Sequence, residues 1–183
     1  MKKVFIDGSA GTTGLRIFDR LHRRTDIQLL TLPESERKLE ASRKKMLNEA
    51  DVVFLCLPDD AACDAALWVE NPDTVVLDTS TAHRTAPGWC YGFPELSPVQ
   101  EARLRQAKRI AVPGCHASGF IALVYPLVSA GLLTPDALLS CYSLTGYSGG
   151  GKKMIAEYRA PERSFLLNAP RQYALGQTHK HLK

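Results

Sequence analysis

Cys115 stands in AVPGCHASGF, directly after Pro-Gly and directly before a stretch with helical spacing. A thiol at a helix start faces the unpaired amides of the first turn and the positive end of the helix dipole, and both favour the thiolate. The same amides can form an oxyanion hole for a carbonyl that the sulfur attacks. The competing reading is a cysteine that merely fits a helix start. About a hundred residues upstream, GSAGTTG at 8–14 joins the apolar run VFI to the helical-looking LRIFDRLHRR. Gly8, Gly11 and Gly14 give G-x-x-G-x-x-G, which suits a tight turn whose bare backbone lets a pyrophosphate approach a helix N-terminus. Thr12 and Thr13 offer caps or hydroxyls to the phosphate. The candidate cofactor-binding set is therefore Gly8, Ser9, Gly11, Thr12, Thr13 and Gly14, against the alternative of a plain strand-to-helix turn.

A thiolate beside a nicotinamide defines a reaction class. Attack on an activated acyl group gives a thioester, which hydride reduces to an aldehyde. Such a step needs a proton carrier, and the chain has His22, His83, His116, His179 and His181. His22 belongs to the first helix. His116 adjoins the cysteine, but neighbouring helical residues point apart. THKHLK at the chain end offers His179 and His181, with an exposed polar tail as the other reading. Their H-x-H spacing has no evident third ligand, so no metal is expected.

The cofactor's second phosphate has its own candidates. Dinucleotide sites place an acidic residue after the second strand for the ribose hydroxyls. Here that place reads TLPESERK, where Glu34 is available but Ser35, Arg37 and Lys38 could hold a 2′-phosphate. The sequence therefore leans to NADP, with a solvated charged loop as the alternative. Among the other cysteines, Cys56, Cys63 and Cys141 read as small buried hydrophobes, and Cys90 lies in a polar turn.

The elements that must position these groups alternate in type. Strands are expected at 4–6, 27–32, in ADVVFLCLPDD and in TVVLDTS. Helices are expected over the first stretch after Gly14, near 40–49 and over 60–69. Apolar runs separated by helices indicate a parallel sheet covered on both faces, an α/β fold of the Rossmann-type, doubly wound kind. After residue 84 the rhythm changes: GWCYGFPELSP is turn-rich, 98–107 looks helical and KRIAV is a strand. A helix follows Cys115, which Pro126 should bend or end early. LLSCYSLTGYSGGGKK reads as a strand running into a glycine-rich loop, the start of part of an α+β catalytic domain. The boundaries expected are 1–112 for the dinucleotide-binding domain and 113–183 for the catalytic one.

The 183 residues are 45% hydrophobic and 23% charged, with net charge +4 and pI about 8.8. Basic and acidic residues interleave, as in ESERKLEASRKK, which suits a small anionic ligand and gives no argument for nucleic acid. MKKVFIDG lacks the apolar length of a secretory signal, and FIALVY is too short to cross a bilayer. Five cysteines without a CxxC pair fit a reducing, cytoplasmic compartment.

GSAGTTG, DTSTAHR, AVPGCHASGF, GYSGGGKKMI and THKHLK, in this order and spacing, resemble N-acetyl-gamma-glutamyl-phosphate reductase of the shorter type. The resemblance covers essentially the whole chain, and PGC with its flanks is its most specific part. It implies NADPH-dependent reduction of an acyl phosphate to a semialdehyde in arginine biosynthesis. It also implies Cys115 as nucleophile, Arg84 as the holder of the acyl phosphate, Gly149 and Gly150 in a loop near the substrate, and His179 or His181 as acid/base. A homo-oligomer acting on a small molecule, with neither nucleic acid nor membrane as partner, is expected. Members of that family continue well past the HKH segment, so the catalytic part is expected to be incomplete. Aspartate-semialdehyde dehydrogenase shares the chemistry, but its Asn-Cys context is absent here. A non-catalytic NADP-binding sensor is the rival from another class. A thiol-dependent hydrolase would leave the glycine loop without a purpose.

Overall fold

The computed structural model describes residues 1–172. They form two compact units, Met1–Ala137 and a second beginning at Leu138. In the first, β1 (Lys2–Asp7), β2 (Ile27–Leu30), β3 (Val52–Leu55), β4 (Val75–Asp78), β5 (Cys90–Tyr91) and β6 (Arg109–Ala111) make one sheet in the order β2-β1-β3-β4-β6-β5. Every pairing is parallel. Helices α1 (Thr12–Leu21), α2 (Glu40–Glu49), α3 (Asp59–Leu67), α4 (Pro98–Gln106) and α5 (Cys115–Ser129) belong to the same unit. The doubly wound arrangement expected from the apolar runs is the one observed.

The core explains why those runs do not alternate. Val4, Phe5 and Ile6 are consecutive and all buried, as a strand covered on both faces requires. Phe5, Val53, Leu55 and Val76 from three neighbouring strands pack with Leu47 of α2 and Ala65 of α3. Thr74 is fully buried yet satisfied, because its hydroxyl donates to the Ala50 carbonyl at 2.7 Å. α4 begins with Ser97 as N-cap, whose Oγ accepts from the Gln100 amide at 3.1 Å, followed by Pro98.

Three expectations are corrected. Of the two effects expected of Pro126, an early end is excluded, because α5 continues three residues past it to Ser129. Pro126 and Ala122, whose carbonyl Pro126 deprives of a partner, are both exposed, so water can take that carbonyl. Leu138 to Ser143 forms no strand; these residues are exposed, and a strand exists only where a neighbour pairs with it. Cys63 and Cys141 are exposed rather than buried, because the first turns outward on α3 and the second lies in that unpaired segment. The second unit holds a 3-10 turn at Tyr147–Gly150 and α6 (Gly151–Arg159), where Tyr147 stacks on Tyr158 at 5.0 Å between ring centroids.

Candidate functional site

Register places the ends of four strands in one row. Asp7 of β1 pairs with Leu55 of β3, Leu55 with Asp78 of β4, and Asp78 with Ala111 of β6. The next residues along the chain, Gly8, Cys56, Thr79 and Val112, thus all leave the sheet at its carboxyl edge. Three inter-strand spacings separate the glycine turn from the cysteine loop, about 14 Å. The chain runs outward from β1 to β2 and then returns past β1 to β3. That reversal is the switch point where open α/β sheets bind ligands.

The glycine turn is built tightly against β3. Gly8 has φ of 86°, and a Cβ there would overlap the Cys56 carbonyl oxygen. Gly14, buried in the first turn of α1, would set a Cβ against the Gly8 carbonyl. The turn closes through the Gly11 amide donating to Gly8 O at 2.9 Å. The N-cap is Gly11 and no side chain caps the helix; Thr12 and Thr13 are its first residues, so of the two roles expected for them capping is excluded. An uncapped first turn at the switch point fits a dinucleotide pyrophosphate. Asp7, directly before the turn, is buried and receives Arg43 of α2, whose Nη2 donates to Oδ2 at 2.9 Å and whose Nε lies 3.1 Å from the same oxygen. Arg43 also lies over the Trp68 ring. Beyond β2, Arg37 pairs with Glu34 in the exposed loop that also carries Ser35.

The segment after β4 is braced on both sides. Thr79 Oγ1 donates to Leu55 O at 2.9 Å. Thr81 gives its amide and hydroxyl to the two carboxylate oxygens of Asp59, at 2.9 and 2.6 Å. Arg84 then reaches across, its Nε donating to the Val112 carbonyl at 3.1 Å. Val112 opens the Val-Pro-Gly segment that leads into Cys115. Arg84 and Cys115, 31 positions apart in sequence, are thereby brought to one edge of one unit.

Cys115 is exposed and is the first residue of α5. Gly114 is the N-cap and no side chain caps this helix either, while the Ser118 amide and hydroxyl both donate to the Gly114 carbonyl, each at 2.8 Å. The thiol therefore stands at an open helix start, free of burial. Cys56, at the carboxyl end of β3, is half-buried, and burial pushes its thiol up to about 11. Gly149 and Gly150 lie in the second unit, in the turn before α6. His179 and His181 lie outside the described residues. Among the described residues, no group of three or more His, Cys, Asp or Glu side chains could hold a metal, and no helix is long and apolar enough to cross a membrane.

Sequence reasoning did not single out Asp78, Ser80, His83 or Trp89. Asp78 is fully buried at the end of β4; its Oδ2 accepts from Ser80 Oγ at 2.6 Å and from His83 Nδ1 at 2.7 Å, and its Oδ1 from the Ser80 amide at 2.9 Å. Trp89 stacks on the His83 ring with centroids 3.9 Å apart. A buried acid, a hydroxyl and an imidazole within six residues of one strand end, in DTSTAH, was the available signal.

Residues 3–104 match the family model described as semialdehyde dehydrogenase, NAD binding domain, and 115–183 match that described as semialdehyde dehydrogenase, dimerisation domain. The chain belongs to the semialdehyde dehydrogenase family. Within it, the similar curated proteins are named N-acetyl-gamma-glutamyl-phosphate reductase. That of Chelativorans is 50% identical over 182 residues, and the second such reductase of Pseudomonas putida is 49% identical over 179. Each match covers 98% of this chain and 57% of the relative, so the chain spans little more than half their length. Among solved structures, aspartate semialdehyde dehydrogenase II of Vibrio cholerae, complexed with ASA, superposes with a TM-score of 0.65 at 17% identity. That match covers 94% of this chain and 55% of the other, and it bears on the fold.

Proposed function

We propose that the protein is an NADPH-dependent acyl-phosphate reductase. It converts N-acetyl-gamma-glutamyl phosphate to N-acetylglutamate semialdehyde through a thioester on Cys115, as a cytoplasmic step of arginine biosynthesis. The observation that carries this reading is the hydrogen bond from Arg84 to the Val112 carbonyl, which sets a guanidinium beside the loop of an exposed, helix-opening cysteine. The reductase names of the similar proteins supply the substrate.

In this reading Cys115 attacks the γ-acyl carbon, the carbon–oxygen bond to phosphate breaks, and Arg84 holds the departing phosphate. The uncapped amides of α5 stabilise the oxyanion. NADPH, when bound, would supply the hydride that takes the thioester to the aldehyde level. The carbon–sulfur bond then breaks, the aldehyde leaves, and one of His179 or His181 manages the proton. Gly8, Ser9, Gly11, Thr12, Thr13 and Gly14 cradle the pyrophosphate. Ser35 and Arg37 take the 2′-phosphate, for which Arg37 would leave Glu34. Gly149 and Gly150 border the substrate. Residues 1–112 serve the dinucleotide and 113–183 the chemistry, and the match to a dimerisation domain supports a homo-oligomer.

The test runs in the phosphate-dependent reverse direction, following NADP reduction. N-acetylglutamate semialdehyde should turn over and aspartate semialdehyde should not; the opposite preference would move the assignment to the aspartate enzyme. Cys115→Ser should abolish turnover, by about a thousandfold or more. Iodoacetamide should label Cys115 well before the exposed Cys63 and Cys141, with loss of activity, and react slowest with buried Cys90 and half-buried Cys56. Uniformly slow labelling would favour a binding protein without chemistry.

A further inference from the structure

The geometry points to His83 as a positioning residue: anchored on Asp78 and clamped by Trp89, it fixes the turn that presents Arg84 to a phosphate group. The inference rests on the assignment of Arg84 to the acyl phosphate and adds a device that sets its place.

The argument starts from Asp78. Its carboxylate is fully buried at the end of β4, and each of its bonds returns to the six residues that follow it. Ser80 closes the first half of the turn, and the Ser80 hydroxyl in turn accepts from the Ala82 amide at 3.1 Å. Thr79 and Thr81 tie that half to β3 and α3. His83 is the last side chain tied down before Arg84, one peptide unit away. Arg84 itself donates its amide to the Thr81 carbonyl at 3.5 Å and its Nε to the Val112 carbonyl.

The imidazole is held from two sides. Nδ1 lies on Asp78 Oδ2, which assigns that nitrogen the proton and fixes the ring edge. Trp89 lies nearly parallel to the ring, at 16°, and itself packs against the apolar core. A ring gripped at its edge and its face restrains the backbone that carries it, and with it the adjoining peptide. Without the Asp78 bond, the segment from Ala82 to Arg84 loses its side-chain anchor in β4 while the bonds of Ala82 to Ser80 and of Arg84 to Thr81 and Val112 remain, so the turn is held less closely when phosphate binds. The cost therefore falls on phosphate affinity and leaves hydride transfer alone.

The intact protein is assayed in the reverse direction with inorganic phosphate as the varied substrate. His83→Phe keeps the stack and removes the donor. His83→Asn restores a donor where Nδ1 was, while His83→Gln carries it one carbon too far. Phe and Gln should raise the KM for phosphate about tenfold, with kcat at saturating phosphate and the NADPH Kd within about twofold; Asn should recover most of the affinity. If Phe fails to fold, the contrast between Asn and Gln carries the test. Equal losses in kcat, phosphate KM and NADPH affinity in both polar variants would reduce His83 to a structural prop and overturn the inference, as would an unchanged phosphate KM in Phe and Gln. Arg84→Ala is the separating control: a phosphate KM that ignores it removes the anion role of Arg84, whatever His83 does.

Discussion

Substituting Gly8 by alanine asks whether the turn after β1 depends on glycine for its own construction. Two penalties combine. The backbone at φ 86° is left-handed, which costs a non-glycine residue about 1–2 kcal/mol. The new Cβ would also overlap the Cys56 carbonyl, and relieving such crowding costs about 1–3 kcal/mol. Gly131, just past α5, isolates the first penalty: its φ is 68° and a Cβ there meets nothing within 4 Å. Gly131→Ala should therefore lose about 1–2 kcal/mol and Gly8→Ala about 2–5 kcal/mol. Urea unfolding followed by tryptophan fluorescence reads the difference, since Trp68 and Trp89 both pack on the core. Gly8→Ala should also weaken NADPH binding at least tenfold, because relief moves the turn that carries the first amides of α1. Gly131→Ala should leave that affinity unchanged. If Gly8→Ala proves no more costly than Gly131→Ala, the close approach of Gly8 to β3 does not constrain the chain and the reasoning fails.

Arg43→Ala would strand the buried Asp7 carboxylate, and stability should fall by about 3–5 kcal/mol. Replacing both partners by leucine should cost less than the sum of the single changes, a comparison that a double-mutant cycle of unfolding free energies measures. Asp51 receives the Lys3 amide and the Lys2 ammonium, and the first of these most of all holds its carboxyl below the usual 3.8. A lowered native value favours folding above the unfolded one, so wild type should exceed Asp51→Asn in stability at neutral pH. That gap should close as acid carries the pH below 3.8 and through the lowered value, as urea midpoints across pH would show.

The parallel sheet was legible because strands buried on both faces write unbroken apolar runs, and VFI and VVFL are such runs. The glycine turn and the helix start at Cys115 were legible because turn and helix-start signals are local. Cys63 was misread because a short alanine-rich helix gives its faces little contrast; Ala62 and Ala65 are buried while Cys63 between them is exposed. Leu138 to Ser143 was misread because β-propensity describes a residue's fitness for a sheet and cannot supply the neighbour. The link from Arg84 to Val112 spans 28 positions and ends on a carbonyl, so no side-chain pattern announces it. The Asp78–His83 pair was hidden for another reason: TVVLDTS reads as a strand, but burial of Asp78 at its end is decided by the strands on either side.

Because Val112 engages Arg84 through its main-chain oxygen, any amino acid at position 112 offers the same acceptor. Divergence there is invisible to the coupling, which evolution can sever only by changing the guanidinium itself or by moving the backbone. Substitutions that retune the apolar surroundings of Cys115 are thus uncoupled from the tie to Arg84, and one side of this edge can drift while the other stays in register.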